Sequence, residues 1–479
     1  MRSGRLLYLL GVLALCCGFP LGVSAGMPLE NERAPVSSAE EIVEYGAGYR
    51  FERDGWIYLH IAGEPYERGV QHGYLLAPEL QTIFDNLDYL TYWSTGKKWS
   101  YFVDAAERMF QKHIDAEYLQ EMQGIADGAQ AAGVDITWQD IMTWNGYEEL
   151  TGYWWPNEQA GTYVDNEHCS AFIATGSQTR DGRIVMAHNS WNVFEMGQLS
   201  EVILDIEPAQ GQRMLMQSAP GLLDSGTDFA VTDAGLMVTE TTIGGYGEFD
   251  PQGAPEFLRV RKAMQYADSL DGFVGTMLQD NNGAYANSWL LGDANTGEIM
   301  RFELGLKYHS VERTKDGYFL GFNAPTDIAL RNLECSDTGY FDIRTPMGAR
   351  RVRLTNLMEE YHGTLDVDAA EKIIADHYDV YLGEENHPCS RTVEGHYELD
   401  AFEYWPARLP YRPQGAVDGK VTDSDLARDL SLWARYGSSS GMAFDAEAFM
   451  KQHIQWNDLA GYIWDRPSQP WSLFTAGER

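Results

Sequence analysis

The chemistry of this sequence is concentrated around one cysteine. In Asn166-Glu167-His168-Cys169-Ser170-Ala171-Phe172-Ile173-Ala174-Thr175-Gly176, a thiol heads a β-type run. The chain then turns at Arg180-Asp181-Gly182 and returns as Ile184-Val185-Met186-Ala187-His188-Asn189. A hairpin of this kind carries His188 and Asn189 back towards Cys169, setting a nucleophile beside groups able to orient it. The same residues also suit a buried thiol acting as a small hydrophobe. Gly437-Ser438-Ser439-Ser440-Gly441 fits the G-x-S-x-G pattern of serine esterases, which needs a strand before it and a helix after it. The preceding Leu426 to Tyr436 reads as a helix, so a flexible loop is the better expectation there. No C-x-x-C or H-E-x-x-H spacing occurs, and neither a structural zinc nor a cofactor is expected.

Several elements must position such a site. Gly55 to Ala62 alternates as a strand, with Trp56, Tyr58 and His60 against Ile57, Leu59 and Ile61. Residues 66–93 and 100–132 carry apolar side chains at helical spacing, and Tyr118 to Ala132 is amphipathic up to Gly133. From residue 162 to about 325 short strands alternate with Gly, Asp and Asn turns, interrupted by helices at 256–268 and 271–279. Helices are expected again at 347–361, 367–377 and 424–435. Runs of strands followed by runs of helices indicate an α+β domain with layered sheets.

Composition narrows the possible partners. The 71 acidic and 35 basic residues give a net charge of −36, which repels nucleic acid and anionic membrane surfaces. The start of the sequence has the order of a signal peptide over residues 1–25: Arg2 and Arg5, an apolar run from Leu6 to Phe19, then Val23-Ser24-Ala25. That run falls short of the roughly 20 residues a membrane-spanning helix needs, so a secreted or periplasmic protein without a stable membrane anchor is expected. Export would leave Cys169, Cys335 and Cys389, an odd number; Cys335 and Cys389 could pair and leave Cys169 free. Oligomeric state is not legible.

Six ordered segments carry a family resemblance: Gly63-Glu64-Pro65-Tyr66-Glu67-Arg68-Gly69-Val70-Gln71-His72-Gly73; Leu119 to Ala129; the Cys169 strand; Met186-Ala187-His188-Asn189-Ser190-Trp191-Asn192; Gly235 to Thr242; and Tyr285 to Asp293. Together they resemble the autoproteolytic C45 acyltransferase/hydrolase family and its phospholipase B-like branch. These are N-terminal nucleophile (Ntn) hydrolases, with the choloylglycine amidases as more distant cousins. The resemblance implies a four-layer αββα fold and self-cleavage between His168 and Cys169. The N-terminal segment, 26–168, carries at least three core-facing elements whose loss would expose a large apolar surface, so it is expected to stay bound to a catalytic segment, 169–479. The freed α-amine of Cys169 would then serve as base for its own thiol.

The resemblance also assigns roles. Asn323, in Phe322-Asn323-Ala324-Pro325, matches the cousins' oxyanion-binding Asn; backbone N–H groups near Thr241 and Thr242 would be second donors, with Asn287 a rival. His188 would orient the thiol or a water. Arg350 is expected to support the thiolate, with Arg391 as the other option. Asn189 and Trp191 are further substrate-side candidates. Tyr153, Trp154 and Trp155 could line an apolar acyl pocket or belong to a core. The expected reaction is hydrolysis of amide bonds in acylated small molecules or peptides. Alternatives are phospholipase B-like hydrolysis of lipid acyl esters, acyl transfer to an amine, and a non-catalytic binding role.

Overall fold

The computed structural model describes residues 41–159, 169–226, 229–336, 338–401 and 410–479; the expected signal peptide and His168 lie outside them. Alternation along the strands builds the architecture. In Trp56–Gly63, Ile57, Leu59 and Ile61 enter one apolar cluster while Trp56 and Tyr58 enter another on the opposite face. Successive strand side chains point to opposite faces, so a strand that is apolar on both must be covered on both.

Among the described residues there are two sheets. The first has ten strands in the order Val43–Tyr45, Gly48–Arg53, Trp56–Gly63, Val202–Pro208, Met214–Ser218, Phe229–Thr232, Leu236–Thr242, Asn287–Asp293, Glu298–Leu304 and His309–Thr314. The second runs Gly317–Gly321, Cys169–Gly176, Gly182–Val193, Asp418–Asp423, Ser431–Tyr436 and Ser472–Thr475, with Gln414–Ala416 paired to the end of Gly182–Val193. A shared core lies between the sheets, where Tyr58, Ile203 and Leu290 from the first meet Ala171, Ile173 and Leu432 from the second. On the outer face of the first sheet, Val260 and Phe273 from helices Glu256–Tyr266 and Leu270–Met277 share an apolar cluster with Leu204 and Trp289. On the outer face of the second, Leu354 and Ile373 from helices Pro346–Glu360 and Val367–Ile374 cluster with Phe172 and Ala187. The protein is thus α+β, with helices outside two facing sheets.

Residues 41–159 are woven into this body. Strand Trp56–Gly63 pairs in parallel with Val202–Pro208, from Ile57↔Val202 to Gly63↔Pro208. Helices Pro65–Leu75 and Ala116–Ala131 cross at backbone contact. A Cβ on Gly73 would lie 1.9 Å from the Ile125 carbonyl oxygen, and one on Gly128 2.3 Å from that of Val70. Arg68 and Arg261 then grip the buried Glu121 from either side, at 2.6 and 3.1 Å.

Two expectations need correction. The helix expected at 424–435 ends at Arg428; Leu430 takes φ 46°, and Ser431–Tyr436 is a strand. Leu432, Ala434 and Tyr436 alternate into the inter-sheet core while Trp433 points to the other face, a period of two that the helical reading missed. Nor do Cys335 and Cys389 form a disulfide. Both are free thiols, each pushed up to about 12 by burial.

Candidate active site

Cys169 is the first residue of its strand and is buried. The hairpin register sets Cys169 opposite Ser190, Ser170 opposite Asn189 and Ala171 opposite His188. Opposed residues share a face, so Cys169, Ser190 and His188 face the other sheet, and Ser170 and Asn189 face the helices.

The backbone of Cys169 is clamped from two elements. Its N–H donates to Asn323 Oδ1 at 3.3 Å, and its carbonyl accepts from Arg350 Nη1. Arg350 also donates to Asn323 Oδ1 at 2.8 Å and to Ser170 Oγ at 3.3 Å, while its guanidinium lies 4.1 Å from the centre of the Trp191 ring. Asn323 has φ 62° and donates through Nδ2 to the Thr242 carbonyl at 2.7 Å. The structure therefore brings Cys169, Asn323, Arg350, Trp191 and Thr242 together. Arg350 emerges from the first turns of helix Pro346–Glu360, which Thr345 caps by accepting from Gly348 N–H.

Other candidates are placed differently. Asn189 is a structural clamp rather than a substrate group: Oδ1 accepts from Ser170 N–H and Trp191 Nε1, and Nδ2 donates to the carbonyls of Ile374 and Val393. Arg391 is not at the Cys169 backbone; its guanidinium is taken by Asp379 at 2.6 Å, with Asp400 at 3.5 Å. Arg350 is thus the one of these two arginines that reaches the Cys169 backbone. His188 is fully buried with both ring nitrogens lacking hydrogen bonds; burial and the Lys420 ammonium hold it well below the ordinary imidazole range. An imidazole biased in this way towards its neutral form suits orientation rather than proton uptake. Thr242 and Asn287 oppose each other across the first sheet, and the Thr241 and Thr242 hydroxyls and the Asn287 amide are buried without hydrogen bonds.

Sequence reasoning missed Lys420. It sits opposite His188 in strand Asp418–Asp423, fully buried, and donates to Ser190 Oγ at 2.6 Å and to Gln217, with Asp418 at 2.9 Å. A cation thus holds the hydroxyl of the residue facing Cys169. Asp418-Gly419-Lys420 reads locally as a turn, so only its long-range pairing reveals it.

Cys169 opens into a cavity of about 440 Å³ whose lining includes the apolar Leu90, Trp93, Trp144, Trp155, Met196 and Leu222 and the charged or titratable Glu148, Glu149, Glu195 and Arg412. Of the three aromatics before the expected cleavage point, Trp155 reaches this cavity, whereas Trp154 and Tyr153 belong to apolar clusters. Burial pushes Glu148, Glu149 and Glu195 each up to about 7. The rival Gly437-to-Gly441 loop does follow a strand, but Ser439 is buried and spends its hydroxyl on the Asp418 carbonyl at 2.9 Å, and the next helix waits until Ala446.

A family model described as Phospholipase B matches residues 78–305. Over that stretch the chain is similar to phospholipase B. The match spans Cys169, His188, Thr241, Thr242 and Asn287, while Asn323, Arg350 and Lys420 lie beyond it. Among relatives, an uncharacterized protein of Archaeoglobus fulgidus is 25% identical over 80% of this chain and 71% of its own length. Putative phospholipase B-like 1 of Caenorhabditis elegans is 23% identical over 59% of this chain and 54% of its own. Phospholipase-B 81 of Drysdalia coronoides is 26% identical over 57% and 52%. The chain therefore spans about half the length of these named phospholipase B relatives. No helix among the described residues is long and apolar enough to cross a membrane.

Proposed function

We propose that this protein is a hydrolase of lipid-like acyl esters that uses the Cys169 thiol as its nucleophile. The observation that carries the reading is the position of Cys169: it heads a strand, its backbone N–H and C=O are held by Asn323 and Arg350, and it opens into an aromatic-walled cavity. The ester substrate is preferred over the amide expected from the sequence because the named relatives are phospholipases B. Two facing sheets with helices outside them support the Ntn-hydrolase fold as the frame.

In this reading the precursor first processes itself. The Cys169 thiol adds to the His168 carbonyl, the His168–Cys169 peptide bond gives way to a thioester, and water hydrolyses it to leave a free α-amine. That amine, held at Asn323 Oδ1, takes the thiol proton. The thiolate attacks the substrate ester, and the alcohol departs with the proton. Water then releases the acid and restores the thiol. The tetrahedral oxyanion needs donors; an amide carries two N–H hydrogens, one of which Asn323 gives to Thr242, leaving one for substrate. The apolar wall takes the acyl chain.

Intact mass spectrometry of wild type and Cys169→Ala tests the processing step, and acyl-ester and acyl-amide panels test the substrate. Two fragments divided between His168 and Cys169, an uncut variant, and turnover of esters above amides are expected. An uncut wild-type chain would refute the self-processed mechanism, and amide turnover above ester turnover would return the substrate to acylated amines.

A further inference from the structure

Behind the Trp191 side of the site, residues 376–400 fold with little regular structure and gather imidazoles and carboxylates in a small volume. His377 Nε2 and His396 Nε2 are 3.2 Å apart while their ring centroids are 5.0 Å apart, so the rings converge through those nitrogens. Glu394 Oε2 lies 2.7 Å from His377 Nε2 and 3.6 Å from His396 Nε2. It is fully buried, yet makes no hydrogen bond of acceptable direction. The other oxygen, Oε1, accepts from Ser440 N–H at 3.0 Å.

These three atoms have the spacing of a coordination face. The circle through them has a radius of about 1.9 Å, so an ion about 2.0–2.1 Å from each, the zinc distance to imidazole and carboxylate, stands about 0.8 Å out of their plane. That displacement is close to a tetrahedral arrangement with its fourth position turned away from the protein ligands. A further feature fits: His396 Nδ1 lies 2.8 Å from Glu398 Oε1, the carboxylate–imidazole pairing that fixes a metal-binding tautomer with Nε2 as the lone-pair donor. Asp379, His387 and Cys389 also converge nearby, but Asp379 is already neutralised by Arg391.

We infer that His377, Glu394 and His396 form a divalent transition-metal site, best suited to zinc, with Glu398 as the residue that orients His396. Two imidazoles and one carboxylate favour zinc over the oxygen-seeking magnesium and calcium. The site is independent of the hydrolytic reading. Its place in the fold indicates a positioning role. Gly395, between two of the ligands, presses on the Trp191 ring, where a Cβ would come within 2.4 Å. The Val393 carbonyl receives Ser170 Oγ at 2.8 Å and Asn189 Nδ2 at 3.2 Å. An ion there would pin the segment on which the Trp191–Arg350 stack rests.

The test is equilibrium dialysis of the full chain, stripped with chelator and freed of it, against micromolar zinc, read by elemental analysis. Cobalt(II) spectra supply a second readout. One zinc per chain is expected in wild type and in the exposed-histidine control His362→Ala. Affinity should fall at least about 100-fold in His396→Ala and Glu394→Gln, and about 10- to 100-fold in Glu398→Gln. Wild type with cobalt should show tetrahedral visible bands without a near-ultraviolet thiolate band, which separates this site from the Cys389 cluster even where a buried variant fails to fold. Folded wild type that takes up no zinc, zinc that stays in His396→Ala, or a thiolate band would each overturn the assignment.

Discussion

Asn323→Asp separates the two jobs proposed for Asn323. The position has φ 62°, a left-handed backbone that Asn and Asp tolerate and Ala does not without a cost of about 1–2 kcal/mol. Aspartate keeps an acceptor for Cys169 N–H and turns the 2.8 Å contact with the Arg350 guanidinium, already charge-assisted, into an ion pair. It removes the donor to the Thr242 carbonyl, at a cost of about 1–3 kcal/mol for a buried acceptor left unmet. These effects offset, so stability should stay within about 2 kcal/mol of wild type. Catalysis has no such compensation. The variant has no N–H for the oxyanion, and losing one such donor costs about 2.7–4 kcal/mol, or 10²- to 10³-fold in kcat. The assay is steady-state hydrolysis of a chromogenic acyl ester, with urea unfolding for stability and intact mass to count processed chains. A processed, folded Asn323→Asp enzyme with kcat within tenfold of wild type would refute the oxyanion role.

Packing and charge lead to three more. Gly73→Ala should destabilise by about 3 kcal/mol or more, because its Cβ meets the Ile125 carbonyl at 1.9 Å; a chemical-denaturation midpoint equal to wild type would contradict the close crossing. Lys420→Met leaves Asp418 buried beside no cation and should cost about 3–5 kcal/mol, with much of that recovered in Lys420→Met/Asp418→Asn; no recovery in the double variant would mean the pair is not coupled. Stability should fall as pH rises from 6.5 to 8.5. Burial raises Glu148, Glu149 and Glu195 to about 7 and Glu201 to about 8, so the folded protein keeps protons that unfolded glutamates have already lost. The loss is on the order of 4 kcal/mol. Below that window the lowered His72 and His188 act with the opposite sign, so a melting midpoint that rises between pH 6.5 and 8.5 is the contrary result.

What the sequence revealed depended on how local the cause was. The run of short strands expected from residue 162 to about 325, which includes Met214–Ser218, Phe229–Thr232 and Leu236–Thr242, was legible because alternation and turn residues are encoded within a few positions. The same local reading failed at 424–435, where Asp423 does cap a helix, but one that lasts five residues before Leu430 turns the chain into a strand. At the site, the Cys169–Asn189 hairpin was readable from its turn. The division between Arg350 and Arg391 was not, since it depends on Asp379 and Asp400 being near one of them. Lys420 and the His377, Glu394 and His396 cluster were invisible for the same reason: their partners come from elements paired only in the folded chain.

The parallel pairing of Trp56–Gly63 with Val202–Pro208 has a consequence for the life history of the molecule. Both strands sit inside one sheet, yet a break at residue 168 would assign them to different polypeptides. Assembly of that sheet is an intramolecular event in the precursor and a bimolecular encounter between the two fragments afterwards. The cut would thus act as a ratchet: the precursor can search for its structure repeatedly, whereas the processed form, once melted in dilute solution, has lost its tether. Its persistence would then be governed by how slowly the interlocked sheet opens rather than by an equilibrium between folded and unfolded states.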